Sequence, residues 1–166
     1  MVAGGAANQQ LLMGPWGHAI NTVSKLGEVD FGPHALIDLD GYWTRWLTAQ
    51  LDGGPWPDPP VRIFVMGVNE WRDLDVWPPA AMTPTPLFLR SDGAANSRLG
   101  DGRLTWEEPA ADEPDDAYDY SPARPFPFIT GITSAQLGGP DDYSAVELRA
   151  DVLVYTSEPV TEPLQL

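Results

Sequence analysis

Cysteine is absent from the 166 residues, which removes disulfides, thiolate metal sites and a cysteine nucleophile together. The absence leaves the compartment open, because many exported proteins also lack cysteine. Bases are scarce: nine Lys and Arg stand against 24 Asp and Glu, a net charge of −15. Such an acidic surface repels phosphate backbones and anionic membrane faces, which disfavours nucleic acid and membrane as partners. No apolar run approaches the roughly twenty residues of a membrane helix. Met1-Val2-Ala3-Gly4-Gly5 lacks the basic start and apolar stretch of a signal peptide. The chain therefore reads as soluble, with the cytoplasm slightly favoured and the oligomeric state open.

What is present suffices for a core. Hydrophobic residues make up 43%, with seven Trp, five Tyr and five Phe, enough for one compact domain or the adjoining parts of two. Eighteen Pro and sixteen Gly, spread along the chain, favour short strands and long ordered loops over helices. Both ends read as cut. Gln9-Gln10-Leu11-Leu12-Met13 enters an apolar run almost at once, and an alternating pattern is only beginning at Val160-Thr161-Glu162-Pro163-Leu164-Gln165-Leu166.

Leu11-Leu12-Met13 is a short apolar run that Gly14-Pro15 stops, since proline cannot continue a central strand. His18 then falls in a loop just beyond a strand end, beside Trp16 and Gly17. Over residues 36–51 the positions Leu36, Leu39, Trp43, Trp46, Leu47 and Leu51 follow the spacing of an amphipathic helix, with Pro33 in its first turn and Gly53-Gly54-Pro55 as its stop. Trp43 and Trp46 read as core. Pro57, Pro59 and Pro60 make a stiff linker, placing a domain boundary within residues 54–60. Beyond it the pattern turns to strands at residues 61–66, 86–90, 104–106, 146–149 and 151–155, spaced as in a β-sandwich. Residues 107–127 carry seven acids before their first base, Arg124, and read as a long solvated surface loop.

His18 is the first candidate for chemistry, because imidazole accepts and returns a proton near neutral pH. A loop histidine taken by position alone is nonetheless more often structural. His34, at a helix start, reads as an exposed surface histidine. No serine lies in a Gly-x-Ser-x-Gly elbow; Ser24, Ser91, Ser97, Ser121, Ser134, Ser144 and Ser157 all suit caps or turns. The acids Asp112, Glu113, Asp115, Asp116 and Asp119 lack the alternating spacing and central glycine of a calcium loop, so no metal is assigned. No cofactor is called for either. Arg72 beside Trp71 suits either a stacked or paired contact near the domain boundary or an ordinary turn-and-strand contact.

Leu12-Met13-Gly14-Pro15-Trp16-Gly17-His18 resembles the segment that bears the triad histidine in the cocaine-esterase and Xaa-Pro dipeptidyl-peptidase family of α/β-hydrolases. The likeness continues through Val29-Asp30-Phe31-Gly32-Pro33, Met66-Gly67-Val68-Asn69-Glu70-Trp71-Arg72, Trp77-Pro78-Pro79, Gly100-Asp101-Gly102-Arg103-Leu104 and Asp151-Val152-Leu153-Val154-Tyr155, and so covers nearly the whole chain. The resemblance implies residues 1–53 as the C-terminal end of an α/β-hydrolase domain with the histidine loop and final helix. It implies 54–60 as a proline-rich linker and 61–166 as part of a jelly-roll β-sandwich. It further implies His18 as the triad histidine, Trp16 as a candidate either for the substrate-pocket wall or for packing the loop, and a small ester, amide or short peptide as substrate. The family's serine precedes its aspartate, which precedes the histidine; neither partner is in this chain, which is expected to be inactive alone. A rival reading is a stand-alone β-sandwich binding module with an aromatic platform. A purely structural jelly roll leaves the His18 loop and the helix without purpose.

Overall fold

The computed structural model describes residues 8–127, 129 and 141–162. Met1-Val2-Ala3-Gly4-Gly5, Ser134 and the final four residues, on which expectations above fell, lie outside the described residues. Contacts divide the chain into two compact units, one extending to Met82 and the other comprising Thr83–Ile129 and the chain from Asp142 onward. The elements in order are β1 (Leu11–Met13), β2 (Lys25–Leu26), β3 (Val29–Asp30), α1 (Leu39–Asp52), β4 (Val61–Val65), β5 (Glu70–Leu74), β6 (Phe88–Arg90) and β7 (Arg103–Thr105). Among the described residues the architecture is one of small sheets with a single α-helix. Among the described residues no helix is long and apolar enough to cross a membrane.

In the first unit β1 runs parallel to β4, with Leu11 opposite Val61 and Met13 opposite Ile63, and β4 is followed by antiparallel β5. Gly67 and Asn69 turn the chain between β4 and β5 with φ of 92° and 57°, and the Asn69 side chain accepts the Gly67 N–H at 3.2 Å. These are the residue types that tolerate left-handed backbone. β5 escapes sequence reading because Glu70, Arg72 and Asp73 leave only Trp71 and Leu74 as apolar markers in five residues. The core is Phe31, Ala35 and Phe64, with Leu26 and Trp71 packed on it. The ring of Phe64 meets Phe31 edge-on at 6.1 Å and Trp71 edge-on at 5.3 Å, the arrangement that ring quadrupoles favour.

α1 begins three residues later than its apolar spacing predicts. Asp38 is its N-cap, the carboxylate accepting the Gly41 N–H at 3.0 Å, while Pro33 opens a separate 3-10 turn, Pro33–Ala35. Gly53 ends the helix in the left-handed conformation with φ of 66°, as the glycine predicts. The expectation that Trp43 and Trp46 are core is corrected. Only Leu39 and Tyr42 of α1 are buried; Trp43 is 50% exposed, Leu51 85% exposed, and Trp46 half-buried. Apolar spacing reports which face a helix would bury, whereas burial also needs a neighbour along the whole length.

The second unit holds β6 paired antiparallel with β7. The strand expected at 151–155 is instead an extended segment joined by isolated bridges, Asn96 to Leu153 and Arg103 to Thr156. It lies so close to Gly102 that a Cβ there would sit 2.0 Å from the Val154 carbonyl oxygen. The strand expected at 146–149 is a series of turns: the N–H of Val146 reaches the Tyr143 carbonyl and that of Arg149 the Val146 carbonyl. Arg149 grips Asp151 through two bonds of 2.7 and 2.5 Å, a charge-assisted two-pronged pair.

The acidic stretch is likewise not wholly solvated. Glu113 accepts bonds of 2.9 Å from Arg90 Nε and from the Ser91 N–H. Asp116 accepts from the Ser91 hydroxyl at 2.7 Å, the Ala95 N–H at 2.9 Å and the Tyr155 hydroxyl at 2.6 Å. These bonds hold both carboxyls below their usual range, the Ser91 N–H contributing most at Glu113 and the Tyr155 hydroxyl most at Asp116. The same carboxylate pushes Tyr155 up to about 12. Asp112, Asp115 and Asp119 remain exposed.

Candidate functional site

β1 delivers the chain to Gly14 and Pro15, and the indole of Trp16 folds back over Gly14 so closely that a Cβ there would lie 2.6 Å from the ring. The Trp16 N–H donates to the Ala35 carbonyl at 2.9 Å. Its ring tilts 53° against that of Trp71 at 5.7 Å, and the Trp71 N–H donates to the His34 carbonyl at 2.8 Å. Two tryptophans thus satisfy two successive carbonyls of the Pro33–Ala35 turn, groups that a short 3-10 turn cannot pair itself.

From there the chain turns outward. The His18 carbonyl accepts the Ile20 N–H at 3.0 Å, and the turn closes at Asn21, whose φ is 57°. The Asn21 side chain accepts the Ile37 N–H at 2.9 Å and donates to the Ile37 carbonyl at 2.7 Å. His18 is exposed at the crest of this turn, and among the described residues its imidazole has no hydrogen-bond or ion-pair partner. Beside the loop an open hollow of about 320 Å³ is lined by Ile20, Ile37, Leu39 and Trp43, with Asp38 and Asp40 at its edge. An imidazole so presented can take a proton from, and return it to, a group brought against it. Alone it cannot perform acyl transfer.

His34 is exposed, as its position suggests, but its ring is engaged. Its Nε2 lies 2.6 Å from the Asn69 carbonyl and so carries the proton and donates, and its ring sits 6.2 Å from Phe64. Arg72 is not the base that stacks on Trp71. The guanidinium of Arg62, on the neighbouring strand, lies 5.8 Å from the ring centre and pairs with Asp73 at 3.2 Å. Cross-strand neighbours meet on a sheet face, whereas residues adjacent in sequence point to opposite faces.

Among the described serines, Ser91 is the buried one, 2% exposed. Its hydroxyl serves Asp116 and the Gly93 N–H, with no histidine in the network. Among the described residues no three His, Asp or Glu side chains gather so as to hold a metal ion. The anchoring residues Asn21, Ala35 and Ile37 carry no sequence signal beyond asparagine's tolerance of left-handed backbone. The amide pairing spans sixteen residues and the indole bond nineteen.

The sequence profile described as "X-Pro dipeptidyl-peptidase C-terminal non-catalytic domain" matches residues 56–166. The chain is 34% identical to the cocaine esterase of Rhodococcus sp. (strain MB1 Bresler) over 169 residues, covering 96% of this chain and 29% of that protein. Among solved structures it is similar to an aminopeptidase from a marine sediment archaeon, Thaumarchaeota archaeon. The TM-score is 0.61 at 25% identity, over 93% of this chain and 26% of that one. The chain therefore spans less than a third of the length of these relatives.

Proposed function

We propose, on the premise that this chain belongs to the X-Pro dipeptidyl-peptidase C-terminal domain family, that it forms part of a serine acyl hydrolase and supplies the triad histidine as His18. Residues 1–53 are then the end of an α/β-hydrolase domain, 54–60 a linker, and 61–166 part of a jelly roll. The profile match from residue 56 onward supports that division, whereas the β1–β4 pairing joins residues from both sides of it within the compact unit that extends to Met82.

The observation that carries the reading is the loop itself. It follows a strand end, is tied at both sides to the Pro33–Ile37 segment, and offers an exposed imidazole with no partner among the described residues. In acyl transfer His18 takes the proton of a serine as that serine attacks an ester or amide carbonyl, then protonates the leaving group. An aspartate holds the ring in the required tautomer. Both partners come from outside this chain, no cofactor is required, and the substrate class is a small ester, amide or short peptide. Trp16 commits its N–H to Ala35, so any part it plays in the pocket wall is played by the ring. The similarity to an esterase and an aminopeptidase supports a hydrolase that acts on carbonyl compounds. The absence of a membrane-spanning helix among the described residues is compatible with a soluble enzyme.

The test has two arms. This chain alone should neither hydrolyse aryl esters or Xaa-Pro anilides nor take up a fluorophosphonate label. In the full-length hydrolase that carries the segment, His18→Ala should lower acylation by about 10³ or more with the fold intact. Stoichiometric labelling of a serine in this chain, or an active His18→Ala enzyme, overturns the reading.

A further inference from the structure

We infer that Asn21 is a positioning residue for His18: its side-chain amide, paired to both backbone groups of Ile37, sets where the imidazole is presented. The inference rests on the reading of His18 as the triad histidine.

The geometry is that of one amide matched to another. Oδ1 accepts the Ile37 N–H at 2.9 Å and Nδ2 donates to the Ile37 carbonyl at 2.7 Å. Asparagine alone among the side chains offers a donor and an acceptor at this reach. Aspartate sets a second acceptor against the carbonyl, and glutamine is one methylene too long. Asn21 also takes φ of 57°, which asparagine adopts more readily than most residues with a Cβ.

The platform it grips is itself well fixed. The Ile37 carbonyl accepts the Leu39 N–H at 2.8 Å and the Leu36 N–H bonds the Pro33 carbonyl, while Asp38 caps α1 immediately afterwards. Trp16 holds the other side of the loop through Ala35, two residues before Ile37. Between the two anchors lie only Gly17, His18, Ala19 and Ile20. Loss of the Asn21 pair leaves that short span tethered at one end.

A proton-transferring group must stay within about half an ångström of its productive place, and a shift of about 1 Å costs on the order of 10²-fold in rate. The effect falls on kcat, because the ring is misplaced relative to the reacting hydroxyl while substrate contacts made elsewhere persist.

The experiment compares Asn21→Gly, Asn21→Asp and His18→Ala in the full-length hydrolase on an aryl ester. Glycine keeps the left-handed backbone and removes the amide; aspartate keeps the bond from the Ile37 N–H and turns the other into a contact between two acceptors. We expect kcat to fall in both Asn21 variants, by about 10- to 100-fold for glycine, with KM within about threefold. A merely structural loss would instead lower the active fraction, so active sites are counted by the fluorophosphonate burst and kcat is taken per active site. If His18→Ala is inactive while both Asn21 variants keep wild-type kcat, the positioning role is overturned and the triad reading stands. If His18→Ala stays active, both fall. Should Asn21→Gly fail to fold, the Asn21→Asp step alone decides, and an unchanged kcat there overturns the proposal.

Discussion

Phe64→Ala removes the ring at the centre of the first unit's core. Phe64 is 7% exposed and touches three neighbouring rings, Phe31 at 6.1 Å, Trp71 at 5.3 Å and His34 at 6.2 Å. A buried Phe→Ala change costs about 3–5 kcal/mol through lost transfer energy and the cavity left behind. With the edge-on aromatic contacts also lost, the cost here is about 4 kcal/mol, the middle of that span. What loosens is the support of the Pro33–Ala35 turn, because Phe64 packs on Ala35 and on Trp71, whose N–H bonds the His34 carbonyl. The indole N–H protons of Trp16 and Trp71 report on those carbonyls directly, and their exchange with solvent by NMR reads local opening without assuming two-state unfolding. At about 1.4 kcal/mol per decade, the loss corresponds to on the order of 10³-fold faster exchange at both indoles. Leu99→Ala, at a position 80% exposed in the other unit, should leave them unchanged. Exchange in Phe64→Ala within about threefold of the starting protein would refute the view that this core holds the turn to which the His18 loop is tied.

Gly14→Ala should expel the Trp16 ring, since the new Cβ meets it at 2.6 Å; a red-shifted, more quenchable tryptophan emission and loss of protection at the Trp16 indole are the expected readouts. His34→Ala should lower stability by about 1 kcal/mol through loss of the bond to Asn69 while leaving kcat of the proposed full-length hydrolase unchanged; loss of kcat with the fold intact would mean that His34, not His18, handles the proton. The Asp116–Tyr155 contact predicts two pH limits. Asp116 is depressed in the folded state, so its contribution is present above the ordinary carboxylate range and fades as pH falls through the folded value; Tyr155, raised from 10.0 to about 12, contributes fully below pH 10 and loses that contribution as pH rises toward 12. Asp116→Asn should bring the tyrosine absorbance titration back toward 10, and an unmoved titration would show that the carboxylate is not the cause.

Certain features were legible in the chain because they depend on a few adjacent residues. Gly14-Pro15 ends β1, Gly53 ends α1, and the apolar run at Val61–Val65 is a strand; proline's missing donor and glycine's freedom of φ act wherever they stand. The place of His18 in a loop after a strand was legible for the same reason. What holds that loop was not. The bonds from Trp16 to Ala35 and between Asn21 and Ile37 join residues sixteen to nineteen apart, and nothing in either segment names its partner. The exposure of Trp43 and the turns at 146–149 were also decided in three dimensions. Apolar spacing fixes which side of an element could be buried, but only the neighbours brought alongside determine whether it is. Composition set the charge of the acidic loop, and folding then divided its members between bonded Glu113 and Asp116 and exposed Asp112, Asp115 and Asp119. A carboxylate's solvation depends on which donors reach it, and here those donors come from Arg90, Ser91, Ala95 and Tyr155, which only the tertiary structure brings to it.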